Sequence, residues 1–273
     1  MTDSTIAFIG GGNMARSLIG GLVARGVPAR AIRVAEPVAE LRDALARDFG
    51  ICAFADANEA AHDATTWVLA IKPQAMRAVC EGLAAGSRVR KPSVISIAAG
   101  ITTAQLERWL GSGIGVVRAM PNTPALLGAG VTGLFANAHV DAVGRQLAER
   151  LLATAGQTVW LDDEMLMDAV TAVSGSGPAY VFLLAEAMIA AACTEGLPAE
   201  TARTLTLQTI LGAARMLTED DAEPTELRRR VTSPDGTTQV AIQSFEAGGL
   251  RGLVATAIHA ARERGRELSA AND

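Results

Sequence analysis

The 273-residue sequence predicts an α/β protein in two parts. A Rossmann-type parallel sheet covered by helices is expected over residues 1–163, and an all-α part over residues 164–273. Two observations predict this. Up to about Asp163, short apolar runs alternate with helix-length stretches, the β-α-β rhythm of a parallel sheet with helices on both faces. From Asp162 onward strand signals vanish and the apolar spacing becomes helical.

Taken in order, the first strand is expected at 6–9 (Ile-Ala-Phe-Ile), followed at once by a glycine turn and a helix over 14–25. Further buried strands are expected at 32–35, 67–71, 94–97, 115–118 and 158–161, with helices over 37–48 and 74–84. In the second part the spacing predicts helices over 178–195, 199–217, 224–230, 237–247 and 250–268. Gly196, Pro198, Gly248 and Gly249 punctuate them. The stretch 186–192 is apolar almost all round, so its helix must be covered on every side. A core shared between subunits does this, and so does an internal position within one chain.

Composition narrows the function classes. With 49% hydrophobic and 19% charged residues the chain is of globular type. A net charge of −5 offers no electrostatic reason to bind nucleic acid or an anionic membrane. The uncharged stretch 119–140 contains Pro121, Asn122, Pro124 and several glycines, which reads as loops and short strands rather than a membrane span. Met1 to Ser4 lack a basic start, so no signal peptide is expected. Cys52, Cys80 and Cys193 are few and widely separated, suggesting neither a disulfide framework nor a zinc site. A soluble cytoplasmic protein is expected.

The turn after the first strand reads Gly10-Gly11-Gly12-Asn13-Met14-Ala15. It fits G-x-G-x-x-A, the dinucleotide-binding pattern, in the required strand–turn–helix context. Gly10 permits the tight turn, Gly12 lets backbone approach a pyrophosphate, and Ala15 allows close helix–strand packing. The helix start offers free N–H groups and a positive dipole end to phosphates. Gly10, Gly11, Gly12, Asn13 and Met14 are therefore expected to hold NAD(H) or NADP(H). Glu36 ends the second strand, where an acidic group binds the adenosine ribose and disfavours a 2′-phosphate. The alternative is that it caps the helix beginning at Pro37 and points away. Lys72, one of two lysines, follows the 67–71 strand with Pro73, at the carboxyl end where ligands of open α/β sheets bind. After the next strand, small residues including Ala98 leave room for a nicotinamide ring.

His62, His139 and His259 have no ligand-like spacing, and no metal site is expected. A nucleophile elbow and a Ser–His–Asp pattern are both missing from the sequence.

Three further segments carry a resemblance. Residues 118–125 read Arg-Ala-Met-Pro-Asn-Thr-Pro-Ala, and 173–182 read Val-Ser-Gly-Ser-Gly-Pro-Ala-Tyr-Val-Phe. Residues 232–238 read Thr-Ser-Pro-Asp-Gly-Thr-Thr, after Pro224, Leu227 and Val231. With the glycine turn and 71–73 (Ile-Lys-Pro), the whole chain resembles the pyrroline-5-carboxylate reductase family, in order. The resemblance implies NAD(P)H-dependent reduction of the C=N bond of 1-pyrroline-5-carboxylate to L-proline, the last step of proline synthesis. It also implies a helical dimerisation domain, with dimers often assembled into decamers. It puts the Thr238 hydroxyl against the ring nitrogen as the catalytic group, and the Gly236 to Thr238 backbone on the substrate carboxylate. Ser233 and Thr237 add hydroxyls there, and Asn122 and Ser176 fall at the nicotinamide and substrate junction.

Such chemistry needs little acid–base machinery, because the cofactor carries the hard step and the imine can arrive protonated. Two positions depart from the family pattern. Asp235 stands where Gly is usual, and Glu36 stands where relatives using NADPH carry serine, or asparagine with arginine. The competing readings are another imine reductase or a 2-ketoacid reductase of the same two-domain plan, and a non-catalytic dinucleotide-binding protein. In the wider group of the first, hydroxyacid members generally use a lysine in their helical domain, and no lysine follows Lys91. The second need not keep Ser233 to Thr238.

Overall fold

The computed structural model describes residues 5–271, so the reading of Met1 to Ser4 lies outside the described residues. The chain folds as two compact units, Met1–Ser176 with Ala260–Asp273, and Gly177–His259.

The first unit is built on an eight-stranded sheet. Its strands are β1 (Ile6–Ile9), β2 (Ile32–Ala35), β3 (Cys52–Phe54), β4 (Thr66–Leu69), β5 (Ser93–Ser96), β6 (Val116–Met120), β7 (Gly130–Ala136) and β8 (Gly156–Trp160). The spatial order is β3-β2-β1-β4-β5-β6-β7-β8. The first six strands are parallel, β7 runs antiparallel to β6, and β8 is parallel to β7. The strand order reverses between β1 and β4, which puts the ligand crevice of an open α/β sheet beyond their carboxyl ends.

The helices of this unit are α1 (Asn13–Ala24), α2 (Ala39–Phe49), α3 (Ala57–Ala61), α4 (Pro73–Arg90), α5 (Thr103–Leu110), α6 (Ala142–Leu152) and α7 (Met167–Val170). Of these, α1, α4, α5 and α6 each lay several buried apolar residues against the sheet. On α1 the buried residues Ala15, Leu18, Ile19 and Leu22 recur at helical spacing and join one core, with Phe8, Val34, Val68 and Ile95. On the opposite face Met76, Cys80 and Leu83 of α4 and Leu106 and Leu110 of α5 join Ile9, Leu69, Val94 and Val116. Every residue of β1 and β4 is buried, as expected of central parallel strands covered on both faces.

Two strands depart from the sequence reading. β3 is a three-residue edge strand inside the apolar stretch 51–55, with Cys52 exposed and Ala53 and Phe54 partly covered, and the sequence reading does not single it out. β7 lies inside the uncharged stretch and reverses the sheet's direction after a 3₁₀ turn at Thr123–Leu127. The second helix begins at Ala39 rather than Pro37, because the Glu36 carboxylate takes the Val38 N–H and holds Pro37 and Val38 in the loop.

After β8 the chain stays on the sheet. A 3₁₀ turn (Glu164–Leu166), α7 and a π-helical turn (Thr171–Gly175) all belong to the first unit. The expected domain break at 163/164 therefore falls thirteen residues before the break between the compact units. The last turns of α12 (Leu250–Ala271) also pack here, where the Gln105 side chain donates to the Ser269 carbonyl at 3.2 Å.

The second unit holds α8 (Gly177–Thr194), α9 (Ala199–Glu219), α10 (Pro224–Arg230), α11 (Thr237–Ala247) and the start of α12. These agree with the helices expected from spacing to within three residues at each end. Almost nothing here is buried in a single chain. On α8 only Ala185 is covered, while Phe182 is 61% and Leu183 65% exposed. Leu205, Leu211, Val240, Phe245 and Leu253 are exposed as well. The run 164–194 is long and apolar enough to cross a membrane by length and composition alone.

Candidate active site

The glycine turn shows three different demands. Gly10 sits at φ +102°, and a Cβ there would lie 2.4 Å from the Ala70 carbonyl oxygen, so only glycine fits between β1 and the end of β4. At Gly11 a Cβ would lie 2.5 Å from Leu45 Cδ1 and 3.1 Å from Glu36 Cβ. At Gly12 a Cβ would meet nothing within 4 Å. No protein atom therefore requires glycine at 12, and the space it leaves lies outside, over the start of α1.

That helix start is built to take an anion. Gly12 is its N-cap, with no side-chain cap and no acidic residue in the first turn. The first intrahelical bond runs from the Arg16 N–H to the Gly12 carbonyl, which leaves the N–H groups of Asn13, Met14 and Ala15 without helical partners. Ala15 is fully buried and lets α1 approach β1. The turn fits the pyrophosphate of a dinucleotide.

Glu36 is 7% exposed and fully engaged with backbone. One carboxylate oxygen accepts the Gly11 N–H at 3.0 Å and the other the Val38 N–H at 3.0 Å. Arg42 closes the same corner by donating to the Glu36 carbonyl at 3.0 Å. Glu36 thus braces the glycine turn against the start of the second crossover, a contact that spacing alone did not reveal. Each oxygen keeps a second lone pair.

Lys72 is exposed and caps α4, with Pro73 at its first position, two residues past the Ala70 carbonyl that presses on Gly10. Ala98 follows β5, is buried, and donates its N–H to Ser96 Oγ at 3.4 Å. Asn122 follows β6, where its amide nitrogen donates to the Ser174 carbonyl at 3.2 Å and its oxygen accepts the Val131 N–H at 3.0 Å. Gly10 to Met14, Lys72, Ala98 and Asn122 thus all follow the carboxyl ends of adjacent parallel strands. Ser176 is half-buried, and its N–H reaches back five residues to the Thr171 carbonyl at 2.8 Å, closing the π turn. π turns of this kind are frequent at functional sites.

In the second unit, Ser233, Gly236, Thr237 and Thr238 gather at the start of α11. Gly236 is the N-cap, again without side-chain cap or acidic first turn, and its N–H donates to the Ser233 carbonyl at 3.2 Å. A Cβ at Gly236 would lie 2.5 Å from Ser233 Oγ. Thr238 is half-buried, whereas Ser233 and Thr237 are exposed. Asp235 adopts φ +57°, the left-handed region that glycine would occupy without strain, and its N–H is held by Gln239 Oε1 at 2.8 Å. Among the described residues there is no group of three or more His, Cys, Asp or Glu that could hold a metal ion.

Comparisons with known proteins agree along the whole chain. Residues 164–268 match the family model for pyrroline-5-carboxylate reductase dimerisation, and residues 5–100 match that for NADP oxidoreductase, coenzyme F420-dependent. A pyrroline-5-carboxylate reductase of Pseudomonas aeruginosa is 55% identical over 269 residues, covering 98% of each chain. A solved pyrroline-5-carboxylate reductase from Coxiella burnetii is 45% identical, with a TM-score of 0.94 over 98% of this chain and 99% of that one. The Plasmodium falciparum pyrroline carboxylate reductase, solved with NADP bound, is 28% identical with a TM-score of 0.86 over 98% of this chain and 99% of that one. With identity at this level running from end to end, the chain belongs to the pyrroline-5-carboxylate reductase family.

Proposed function

We infer that the protein reduces 1-pyrroline-5-carboxylate to L-proline with NADPH or NADH, the final step of proline biosynthesis. The observation that carries this reading is end-to-end identity with curated reductases of that substrate, on a fold that ends its strands in an open dinucleotide crevice. When bound, the reduced nicotinamide supplies a hydride to the imine carbon. The chain's own residues then have three tasks. Gly10 to Met14 accept the pyrophosphate on the start of α1, while Lys72, Pro73, Ala98 and Asn122 line the nicotinamide side. The Gly236 to Thr238 backbone holds the substrate carboxylate at the start of α11, with the Ser233 and Thr237 hydroxyls beside it. Ser176 contributes on the substrate side. The Thr238 hydroxyl orients the protonated ring nitrogen and relays a proton afterwards, a role within the range of a positioned hydroxyl.

The functional division of the chain is proposed at 163/164, with a cofactor domain before it and a dimerisation and substrate domain after it. The exposed apolar faces of α8, α9 and α11 support a homodimer, since patches of this size on a soluble protein mark an interface. The same argument makes 164–194 a subunit-packing segment rather than a membrane span. A higher assembly such as a decamer and a cytoplasmic location complete the proposal. Absorbance at the reduced-nicotinamide band tests it, with NADH and NADPH in parallel and 1-pyrroline-5-carboxylate added to the pure protein. Oxidation of either is expected, and the ratio reports the part played by Glu36. A folded protein that binds cofactor and oxidises neither would refute the substrate.

A further inference from the structure

Beneath the strand ends a buried arginine meets two half-buried carboxylates, a charge cluster to which none of these roles falls. Arg118, in the middle of β6, is 4% exposed. Its guanidinium donates to Glu164 at 3.2 Å and lies 3.6 Å from an Asp168 oxygen. Glu164 also accepts the Thr103 N–H at 2.8 Å and the Thr103 hydroxyl at 2.7 Å, which ties it to the start of α5. Asp168 is backed by Gly265 of α12, where a Cβ would lie 3.4 Å from its oxygen. One planar cation thus joins β6, α5 and the segment that follows β8.

Two more contacts continue upward along the same two stretches of chain. Met120 presses on Gly175, where a Cβ would lie 2.6 Å from the methionine methyl. Two residues further, the Asn122 amide donates to the Ser174 carbonyl. Residues 118, 120 and 122 therefore meet 164/168, 175 and 174 as a clamp with charge at its base and an amide at its mouth. A buried ion cluster is weak evidence for stability, since well-packed apolar residues often do as well, but it specifies geometry. Arginine suits this place because its fork addresses two carboxylates at once, which a lysine ammonium does not.

We propose that Arg118 is a positioning residue for the reduction: by anchoring Glu164 and Asp168 it fixes the π turn 171–175, and so the stance of the Asn122 amide and of Ser176. The role rests on the reading that Asn122 and Ser176 face the nicotinamide and the substrate. Displacing reacting groups by an ångström typically costs about 10²-fold in rate, so the loss belongs in kcat.

The test is Arg118→Lys, read three ways on the full-length protein. Amide hydrogen exchange at 171–176 is expected to quicken by about tenfold or more, reporting local opening. The NADPH dissociation constant is expected to stay within about threefold, and kcat to fall by roughly 10- to 100-fold. A purely structural role would lower thermal stability while leaving kcat of the folded fraction intact. Unchanged exchange at 171–176, or wild-type kcat in a folded variant, overturns the proposal. Should the lysine variant not fold, the triple change Arg118→Met, Glu164→Gln, Asp168→Asn removes the unpaired charges and is read identically. If the wild-type protein reduces no 1-pyrroline-5-carboxylate, the substrate reading fails, while the exchange measurement still decides whether Arg118 fixes the turn.

Discussion

Replacing Glu36 with alanine separates the brace that its carboxylate forms in the fold from the cofactor choice proposed for it. Its oxygens accept the Gly11 and Val38 N–H groups, each at 3.0 Å. Val38 is 47% exposed, so its N–H regains water after the substitution, whereas Gly11 is buried and its donor does not. Hydrogen bonds to charged groups contribute about 1.5–3 kcal/mol, and an orphaned buried donor costs about 1–3 kcal/mol. Relief from burying the carboxylate offsets part of this, leaving a net loss of about 2 kcal/mol. At about 2–4 °C per kcal/mol for a unit of this size, Tm should fall by about 4–8 °C. The second readout is cofactor choice. Removing a negative charge beside the ribose site should raise the NADPH/NADH ratio of kcat/KM by about tenfold, a change of ~1.4 kcal/mol. Scanning calorimetry and parallel kinetics with the two cofactors measure these independently. An unchanged Tm refutes the brace, and an unchanged ratio means that the carboxylate serves the turn alone.

Four further outcomes are expected. Gly10→Ala forces a Cβ to 2.4 Å from the Ala70 carbonyl at positive φ and should cost about 2–6 kcal/mol, seen as loss of soluble folded protein. Gly12→Ala meets nothing within 4 Å, so Tm should hold within about 3 °C while cofactor KM rises at least about tenfold; equal effects at both positions would refute the division. Thr238→Ala should lower kcat by about 10²-fold or less, with Thr238→Ser retaining most of the rate, and unchanged kinetics would remove Thr238 from the mechanism. Burial pushes the Cys80 thiol up to about 12, against 9.0 for an ordinary thiol. The folded protein keeps this proton from pH 9 to about 12 while the unfolded chain releases it, so stability present below pH 9 is lost as pH rises. Denaturant melts at pH 8 and 10 should show that fall, and Cys80→Val should reduce it.

What was legible in the sequence follows from how local its cause is. Gly10 is readable because a strand running into a helix through so short a turn demands positive φ in any setting. The strand at 6–9 is readable because burial on both faces leaves an unbroken apolar run. β3 escapes the sequence reading although it lies in the apolar stretch 51–55, because three residues are too few for a strand period to show and an edge position leaves Cys52 exposed. The bracing of Gly11 by Glu36 spans 25 residues, and the Glu164 contacts of Arg118 and Thr103 span 46 and 61, so no periodicity announces them. The one available hint was an arginine set in the apolar run Val-Val-Arg-Ala-Met of β6. Such a residue must find a counter-charge, and the sequence does not say where.

Helix starts in this chain divide by the work they do. Asp56, Thr102 and Asp141 cap α3, α5 and α6, each accepting backbone N–H groups in the ordinary way that satisfies a helix end. α1 and α11 instead begin on Gly12 and Gly236, with no side-chain cap and no acidic residue in the first turn. Glycine in place of a capping side chain costs only a few tenths of a kcal/mol, roughly, so the fold loses little by leaving these two ends open. The gain is a positive donor cluster in each unit, one suited to a pyrophosphate and the other to a small carboxylate. On the proposed roles an anionic cofactor and an anionic substrate are received by the same device, and an acidic cap at either start would compete with the ligand for those N–H groups. In those proposed roles the reactants themselves complete the open starts of α1 and α11.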